Sequence, residues 1–432
     1  MTITTIAVGF AIMLGLMFLS MPVAVSILAV GGVGGYLAYG MPLVGTMGGV
    51  VWGTLNTSYM TAIPLFMLLG ELLLRGGVAD KMYDALAVWL GRLPGGLLHT
   101  NIGTCALFSA TSGSSVATAA TVGTIALPAL QERNYPIRPA LGTIAAGGTL
   151  GILIPPSVNL LVYGSLAGVS VGQLFVAGLI PGLALTGLFA LYVLIAYGRA
   201  GSNDVALEVP MDVKFRLLKH LVPPLVIFGI VMGSIYGGLA TPTESAALGV
   251  MTALYFVWRG GHLNGDLLVN CFIQSARTSG MVILVLVCAL LLNVTLSMTG
   301  GTQAVTRWVS SLGLDQFTLL LLLIVFYVIL GMFMDAMSML VLTVPIAVPV
   351  VAVLGVDPLW FGIFVVVMCE IALITPPMGM NLFVVQGVRK GGGSFSDVIW
   401  GSVPFVVIMI AFAILLIIWP DIALWLPRSM AG

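Results

Sequence analysis

The stretch SGSSVATAATVG at residues 112–123, followed by GTLGILIPPS at 148–157, decides the fold of this chain. Small polar residues and two consecutive prolines lie there inside sequence that is otherwise apolar. Both features recur 221 residues later, where FMDA at 333–336 aligns with SGSS and ITPPM at 374–378 aligns with LIPPS. In a membrane protein, two halves that each place helix breakers deep in apolar sequence indicate a transporter with its site between them.

Other glycines and prolines recur at nearly the same spacing. We therefore divide the chain into two related halves, residues 1–220 and 221–432, and expect them to form one integral membrane unit with no soluble domain. The matched residues are Pro128 with Pro349, Pro155 and Pro156 with Pro376 and Pro377, Gly178 and Pro181 with Gly401 and Pro404, and Gly76 and Gly77 with Gly300 and Gly301.

Each half is predicted to hold a re-entrant hairpin and a broken helix. The segments 97–131 and 319–352 are too long for one span, and each carries its polar or glycine-rich tip near the middle. The paired prolines break the helices at 139–163 and 359–386. Non-helical backbone at membrane depth is tolerated only where protein buries it or a wet cavity meets it, so the tips should face an interior site. The expected class is an all-α polytopic membrane protein with two repeats of inverted topology.

The composition places this chain in a membrane. Apolar residues make up 60% of it, charged residues 7%, and the mean hydropathy is +1.17, whereas soluble domains carry roughly 25% charged residues. Because a spanning helix takes about 20 residues, the chain has room for on the order of a dozen spans. Nothing in the sequence indicates a nucleic-acid partner, and the lipid bilayer is the partner that the composition implies.

Apolar runs locate the membrane helices, and two further segments are amphipathic. The amphipathic segments 76–92 and 259–277 suit the plane of the membrane interface, and packing against the helix bundle is an equally good interpretation. The apolar runs lie near 3–20, 23–39, 55–74, 139–163, 173–197, 220–237, 240–258, 279–298, 317–331, 359–386 and 403–426.

The polar stretch 198–220 contains several basic residues and is predicted to be a cytoplasmic loop by the positive-inside rule. The cysteines are widely spaced, so we expect inert thiols in place of a disulfide framework or a metal site. They are Cys105, Cys271, Cys288 and Cys369.

The tips and breaks carry the groups that could bind ions. A helix broken at Pro155 and Pro156 exposes carbonyls at the end of one half-helix and amides at the start of the next, which creates adjacent cation and anion sites. Serine and threonine hydroxyls such as that of Ser112 add neutral oxygens, and such a site favours a hard monovalent cation, with sodium the natural candidate. The alternative is that these small residues only allow close helix packing.

Four acidic residues lie in apolar sequence. Asp335 occupies the position that the repeat assigns to Ser114, and its alternatives are a sodium ligand, a part of the substrate gate, or a structural salt bridge or helix cap. Glu244 in TPTES is expected to cap a helix start and is left out of the site. The remaining two are Glu71 and Glu370.

The sequence argues against two classes of enzyme. The chain lacks the GxxxxGK[ST] sequence of a P-loop, so it does not hydrolyse ATP by that route. An intramembrane serine protease is also disfavoured because the three histidines, His99, His220 and His262, lie near polar loops, away from the embedded serines.

Taken together, the motifs resemble the large membrane subunit of tripartite ATP-independent periplasmic (TRAP) transporters, the DctM-like family. The resemblance implies a sodium-driven importer of organic acids in the bacterial inner membrane, which receives substrate from a periplasmic binding protein and works with a separate, small four-helix membrane subunit. It also implies an elevator fold of the ion-transporter superfamily. The motifs are IPLFMLLGELLLRGG at 63–77, LPGGL at 93–97, SGSSVATAATVG at 112–123, GGTLGILIPPS at 147–157, AGLIPGL at 177–183, YGGLATPTESAA at 236–247, GMFMDA at 331–336 and TPPMGMNLFV at 375–384.

The resemblance also assigns site residues, with substrate lying between the two tips. The first sodium site is expected at Ser112, Gly113 and Ser114 with the carbonyls around Gly151. The second is expected at Gly331, Asp335, Thr375 and Gly379. The substrate-binding residues are expected to be Ser114, Ser115, Pro155, Asn159, Asp335 and Asn381.

Two other transport functions stay open. One is a two-component sodium or proton symporter of the wider ion-transporter group, which needs no binding protein, and the other is a passive channel. The substrate itself is not readable, because the binding protein makes the choice. Sialic acid, a C4-dicarboxylate or another carboxylate would all suit helix N-termini.

Overall fold

The computed structural model describes residues 3–198 and 210–431, and every regular element in these ranges is helical. Six helical segments in these ranges, with Met211–Tyr236 counted as one, are long and apolar enough to cross a membrane. A seventh is possible if Gly301–Ser311 and Gln316–Gly331, which meet at an angle of 118°, count as one span. The prediction of an all-α polytopic membrane protein is confirmed.

The first half contains twelve α-helices within the described residues. A π-helical turn, Ala29–Val33, joins the second and third, and a 3₁₀ turn, Leu150–Ile152, follows the ninth. The helices are α1 Ile3–Phe18, α2 Val23–Leu28, α3 Gly34–Tyr39, α4 Met41–Leu55, α5 Ser58–Arg75, α6 Val78–Leu90, α7 Leu97–Ser112, α8 Ser115–Glu132, α9 Ile137–Thr149, α10 Val158–Ala167, α11 Val171–Tyr197 and α12 Met211–Leu218.

The second half begins after a 3₁₀ turn, Lys219–Leu221. Its helices are α13 Val222–Tyr236, α14 Pro242–Arg259, α15 Gly265–Met298, α16 Gly301–Ser311, α17 Gln316–Gly331, α18 Ala336–Val353, α19 Pro358–Ile374, α20 Met380–Val388, α21 Phe395–Ile418 and α22 Asp421–Ala431.

The two halves repeat the same local features. Hairpin 1 consists of α7 and α8 and hairpin 2 of α17 and α18, while the paired prolines separate α9 from α10 and α19 from α20. Gly77 and Gly300 begin α6 and α16 in nearly identical left-handed conformations, with φ of +68° and +69°. The structural counterpart of Gly77 is therefore Gly300, one residue earlier than the sequence alignment placed it.

Three helix boundaries differ from those predicted. The segment 259–277 is not separate from the following span, because no proline interrupts the 34-residue helix α15 and its Gly280 faces open space. Helix α4 was missed because four glycines dilute its apolar pattern. The last predicted run ends at Ile418, and Pro420 precedes the separate helix α22.

The polar stretch 198–220 lies partly outside the described residues, since nothing is described between 199 and 209. Its remainder forms α12 and the turn that leads into α13. The ring of Phe215 on α12 contacts the ring of Trp89 on α6, with centroids 5.8 Å apart. Helix α6 also packs inward, because the Tyr83 hydroxyl donates to Oδ1 of Asn101 on α7 at 3.2 Å and Met82 is fully buried. Of the two interpretations of this amphipathic helix, the contacts support packing against the bundle.

The chain path places the two hairpins at opposite ends of the bundle. Helices α5 and α14 run parallel, because Thr243 Oγ1 donates to the Ser58 carbonyl at 2.8 Å at one end while Gly76 meets Val257 at the other. Helix α6, and therefore the start of hairpin 1, lies at the second end. Helix α15 begins at that same end and, at 1.5 Å per residue, is about 50 Å long. Its last residue therefore lies at the first end, together with α16 and the start of hairpin 2.

The halves interlock through their broken helices. The Tyr163 hydroxyl on α10 donates to the Pro358 carbonyl at the start of α19 at 2.6 Å. Helices α9 and α21 approach so closely that a Cβ added at Gly142 would overlap the Gly401 carbonyl oxygen. Each half therefore supplies one wall of the interior, and the candidate site lies between them.

Candidate functional site

The tip of hairpin 1 is a short turn built by two residues. Gly113 ends α7 in the left-handed region at φ +61°, where only glycine is unstrained. Ser114 then begins α8, and its side chain accepts a 3.4 Å hydrogen bond from the amide of Ala117. The Ser114 carbonyl accepts from Thr118 Oγ1 at 2.8 Å, and Thr118 Oγ1 shares a 3.0 Å hydrogen bond with Ser112 Oγ. The tip thus gathers several neutral oxygens.

This tip contacts the first break directly. A Cβ added at Gly151 would lie 2.8 Å from the Ser114 carbonyl and from the Ser115 amide nitrogen. Ser115 Oγ also donates to the carbonyl of Thr149, the last residue of α9, at 3.2 Å. The residues predicted for the first sodium site are therefore brought together. Both surfaces are backbone, so the contact requires a residue without a side chain at position 151.

The first break is buried and its second half-helix is capped. Pro155 and Pro156 are both buried, and the Pro156 carbonyl oxygen would lie 2.7 Å from a Cβ added at Gly113. Ser157 begins α10 and its hydroxyl accepts from the amide of Leu160 at 3.3 Å. Asn159 Nδ2, on the first turn of α10, is buried without a hydrogen-bond partner among the described residues. A buried amide of this kind suits a polar ligand.

The tip of hairpin 2 is built on Asp335, which begins α18 as Ser114 begins α8. One carboxylate oxygen accepts from the amides of Met337 and Ser338 at 3.0 and 3.2 Å, and the other accepts from the Ser338 hydroxyl. Asp335 therefore caps the start of α18, which is one of the alternatives that the sequence left open. Its half-buried carboxylate still leaves lone pairs available, so the cap does not exclude a cation.

Hairpin 2 packs against α19, the helix that precedes the second break. A Cβ added at Gly331 would meet the Ala372 Cβ at 2.5 Å, and Cys369 Sγ donates to the Ala336 carbonyl at 3.4 Å. These contacts lie one to two turns before Thr375, whose hydroxyl donates to the Ile371 carbonyl at 2.7 Å. In the second half, the tip therefore contacts α19, the helix that leads into the break. In the first half, the tip contacts the break itself.

Gly379 and Thr375 contact each other at the second break. A Cβ added at Gly379 would lie 3.1 Å from the Thr375 amide nitrogen and 3.0 Å from the Leu373 carbonyl oxygen. The Gly379 amide donates to the Thr375 carbonyl at 3.1 Å. Two of the four predicted ligands of the second sodium site thus share one turn.

Asn381 is the residue whose position the sequence did not indicate. It follows the second break, yet its Nδ2 donates to the Ala145 carbonyl of α9 in the first half at 3.1 Å. The same nitrogen would lie 3.1 Å from a Cβ added at Gly148, and the Asn381 Oδ1 is buried without a partner among the described residues. Asn381 therefore joins the second break to the first half, and its free oxygen is available to a donor.

The two breaks differ in exposure. Residues 151–157 are all buried, whereas Met378 beside the second pair of prolines is 53% exposed. Phe333 on the second tip is 42% exposed, and Val116 just after the first tip is 37% exposed. Side chains on both tips are thus partly accessible, although the predicted site residue Ser115 is buried.

The other embedded acids have different surroundings. Glu244 forms the predicted cap, with its carboxylate accepting from the amide and the hydroxyl of Thr241 at 2.8 Å each. Glu71 pairs with Arg75 at 2.9 Å. Glu370 on α19 is fully buried, and neither of its carboxylate oxygens has a partner among the described residues. The four cysteines are all buried, and none of them forms a disulfide within the described residues.

The donor sets of the two sites are chemically similar. Hydroxyls and backbone carbonyls dominate the first, and the second adds one carboxylate. Such hard, mostly neutral oxygens suit sodium better than a transition metal, for which imidazole or thiolate ligands are typical. The residues present therefore fit a hard monovalent cation, and the amides at the starts of α10 and α20 suit an anionic substrate group.

Comparison with known proteins identifies relatives along nearly the whole chain. The family model "Tripartite ATP-independent periplasmic transporter, DctM component" matches residues 10–422. The C4-dicarboxylate TRAP transporter large permease protein DctM of Pseudomonas aeruginosa is 34% identical over 372 residues, which cover 85% of this chain and 86% of that protein. The isethionate TRAP transporter permease protein DctMQ of Oleidesulfovibrio alaskensis is 35% identical over 349 residues, covering 79% of this chain and 54% of that protein.

Among solved structures, the YdaH transporter of Alcanivorax borkumensis superposes with a TM-score of 0.64. The match covers 90% of each chain at 15% sequence identity. At that identity the superposition establishes a shared fold and nothing about the substrate.

Proposed function

Because this chain belongs to the DctM component family of the tripartite ATP-independent periplasmic transporters, we propose that it is the large subunit of a sodium-coupled importer of small organic acid anions. As a family member with six or more membrane-length helices, it is a multi-pass transport protein of the bacterial inner membrane and not an enzyme. The sodium coupling, the substrate class and the mechanism are the parts we propose.

The observation that carries the proposal is the contact of the first tip with the first break. Ser114 and Gly151 meet backbone to backbone, and the hydroxyls of Ser112 and Thr118 lie beside them. Ser112, Gly113 and Ser114 would hold one sodium ion with the carbonyls around Gly151. A cation there would balance the exposed carbonyl ends of the broken helix.

The second sodium ion would be held by the matching elements of the other half. Asp335 at the tip of hairpin 2, with Gly331, Thr375 and Gly379, supplies the carboxylate and carbonyl oxygens. Because Asp335 takes the capping position of Ser114, the two proposed sites would share the same local arrangement of a helix-capping residue at a hairpin tip. The single carboxylate would make the second site the stronger one at low sodium concentration.

The substrate would lie between the two tips. Ser114, Ser115, Pro155 and Asp335 belong to the tips and the first break. Asn159 and Asn381 each supply an amide group with one atom that has no partner within residues 3–198 and 210–431. A substrate carboxylate needs hydrogen-bond donors, and Nδ2 of Asn159 is one such donor. Sodium ions beside the tips would offset the charge of an anionic substrate in this low-dielectric interior.

We propose that transport proceeds by an elevator movement of the hairpins and broken helices. The support is the path of the chain, which starts hairpin 1 and hairpin 2 at opposite ends of the bundle. Repeats of inverted topology exchange inside and outside when a carrier switches, so each hairpin would gate one side. Helices outside the broken pairs, such as α5 and α14, would form the fixed scaffold.

The partners follow from the tripartite family. We propose that a periplasmic binding protein delivers the substrate and that a small four-helix membrane subunit packs against this chain. Acids of the kinds named for the two relatives, C4-dicarboxylates and isethionate, are the substrate classes to test first, and sialic acid is a further candidate.

Uptake into proteoliposomes tests this function. With this chain, the small subunit and the loaded binding protein, we expect uptake of radiolabelled succinate or isethionate to require a sodium gradient and no ATP. The uptake rate should rise more than linearly with external sodium, because two ions are bound. The matched control replaces sodium by potassium at equal ionic strength.

The alternatives predict different results in the same experiment. Saturable uptake without the binding protein would favour a two-component symporter, and unsaturable flux down the substrate gradient would favour a channel. Undiminished uptake in potassium buffer would refute sodium coupling.

A further inference from the structure

A basic pocket of about 640 Å³ lies away from the candidate transport site. It is bounded by the start of α6, the turn that leads into α13, and the end of α14. Lys81, Lys219, His220 and Arg259 contribute to its walls, and none of its lining residues is acidic. The volume is within the range of about 300–1,000 Å³ that is typical of small-molecule pockets.

The cations of this pocket are free to bind a ligand. None of Lys81, Lys219 and Arg259 takes part in a salt bridge within residues 3–198 and 210–431. Arg259 donates to the Tyr255 hydroxyl at 3.1 Å, which leaves most of its five N–H groups available. Nδ1 of His220 is buried and has no hydrogen-bond partner among the described residues. The pocket therefore combines unpaired positive charge with an unsatisfied ring nitrogen.

The charge around the pocket is not uniformly positive. Lys219, Lys81 and Asp84 are charged groups near His220. Asp84 and Asp80 lie on α6 outside the lining residues. The start of α6 adds the partial positive charge of a helix N-terminus, so the pocket as a whole attracts an anion.

One wall of the pocket is apolar. Val222 and Pro223 begin the membrane helix α13, and Phe256 lies on the last turn of α14. A free anion would gain nothing from this wall, whereas the glycerol and upper acyl region of a lipid would be buried against it. The combination of a basic wall with an apolar wall indicates a lipid more than a soluble anion.

The pocket lies on the side of the membrane where a bound anionic lipid is expected. Lys219 and His220 end the basic stretch 198–220, which the positive-inside rule assigns to the cytoplasm. Basic pockets between membrane helices on this side bind the head groups of anionic lipids. We propose that the pocket binds the phosphate of an anionic phospholipid from the cytoplasmic leaflet, and that this lipid ties α6 to the α13–α14 pair.

Lipid retention by the purified protein tests this proposal. We expect the wild-type chain to retain phosphatidylglycerol, but not phosphatidylcholine, when native mass spectra are recorded after exchange into each lipid. The double variant Lys81→Gln, Lys219→Gln should bind phosphatidylglycerol about 25-fold more weakly, because each lysine near a charged lipid contributes about fivefold. A control that removes two exposed cations elsewhere, Arg133→Gln with Lys390→Gln, should retain the lipid as the wild type does.

Two further measurements distinguish a lipid phosphate from free phosphate and show whether the variants are folded. Inorganic phosphate at millimolar concentration should neither displace the lipid nor raise the melting temperature as phosphatidylglycerol does. Full displacement by phosphate would assign the pocket to a soluble anion and overturn the lipid proposal. Equal retention by the Lys81→Gln, Lys219→Gln variant and the control would also overturn it, and the melting temperatures without lipid show whether both variants are folded.

Discussion

Replacing Asp335 by asparagine should lower sodium-dependent uptake at least about tenfold, which corresponds to about 1.4 kcal/mol. Asparagine caps helices about as well as aspartate, so α18 should keep its start. The loss of uptake would therefore report the loss of the negative charge, because the two side chains otherwise have nearly the same shape. The measurement is the initial uptake rate in proteoliposomes across a sodium titration, and the half-saturating sodium concentration should rise.

The same hairpin offers a matched control. Asp315 begins α17 as Asp335 begins α18, and its carboxylate accepts from the amide and the hydroxyl of Thr318 at 3.3 and 2.6 Å. Asp315 is an exposed cap far from the tip, so Asp315→Asn should leave uptake nearly unchanged. Glu244→Gln, at the capping box of α14, should behave in the same way.

The capping alternative predicts the opposite pattern. If Asp335 served only to begin α18, Asp335→Asn would resemble the wild type at every sodium concentration, and Asp335→Ala would lower the melting temperature. That pattern would remove Asp335 from the ion site.

Substitution of Gly151 by alanine should have an effect of similar size. The added methyl group would lie 2.8 Å from the Ser114 carbonyl and the Ser115 amide nitrogen, a separation that real Cβ atoms do not adopt. Because both neighbours are backbone, the first tip must move, and overpacking of this kind costs about 1–3 kcal/mol. We expect the uptake rate to fall at least about tenfold and the half-saturating sodium concentration to rise.

Gly187 supplies the control for this substitution. It lies in the middle of α11, where a Cβ added to it would face open space. Gly187→Ala should therefore transport normally and gain about 0.5–1 kcal/mol from the better helix propensity of alanine. Normal sodium dependence in a folded Gly151→Ala protein would show that the contact between the tip and the break does not shape an ion site.

The sequence predicted the local breaks well because their causes are local. Gly113 ends a helix through its left-handed backbone, and the proline pairs at 155–156 and 376–377 interrupt helices because proline lacks the amide that an interior turn requires. Asp335 was matched to Ser114 by spacing alone, and both residues begin the second helix of a hairpin. The capping role of Glu244 was readable for the same reason.

Features that depend on distant contacts could not be read in this way. The hydrogen bond from Asn381 to Ala145 joins residues 236 positions apart, and no periodicity records it. Helix α4 keeps its helical backbone despite four glycines, each of which disfavours a helix by itself. The basic pocket gathers Lys81, Lys219 and Arg259 from three separate segments, so only the folded chain brings them together.

Two opposed hairpins gate one sodium-coupled site in the proposed mechanism, and thiol labelling of their tips tests this most directly. In a background without native cysteines, Val116→Cys and Phe333→Cys would each be exposed to a membrane-impermeant thiol reagent. Both positions are partly exposed in the structure, unlike Ser115 and Ala336, which are buried. Labelling would be compared in cells and in inverted vesicles, with sodium or with potassium.

The thiol at position 116 should react mainly from the cytoplasmic face and the one at position 333 mainly from the periplasmic face. Sodium should change the labelling rate at both positions, and potassium should not. Equal reaction of both positions from one face, with no effect of sodium, would contradict a site gated by two opposed hairpins.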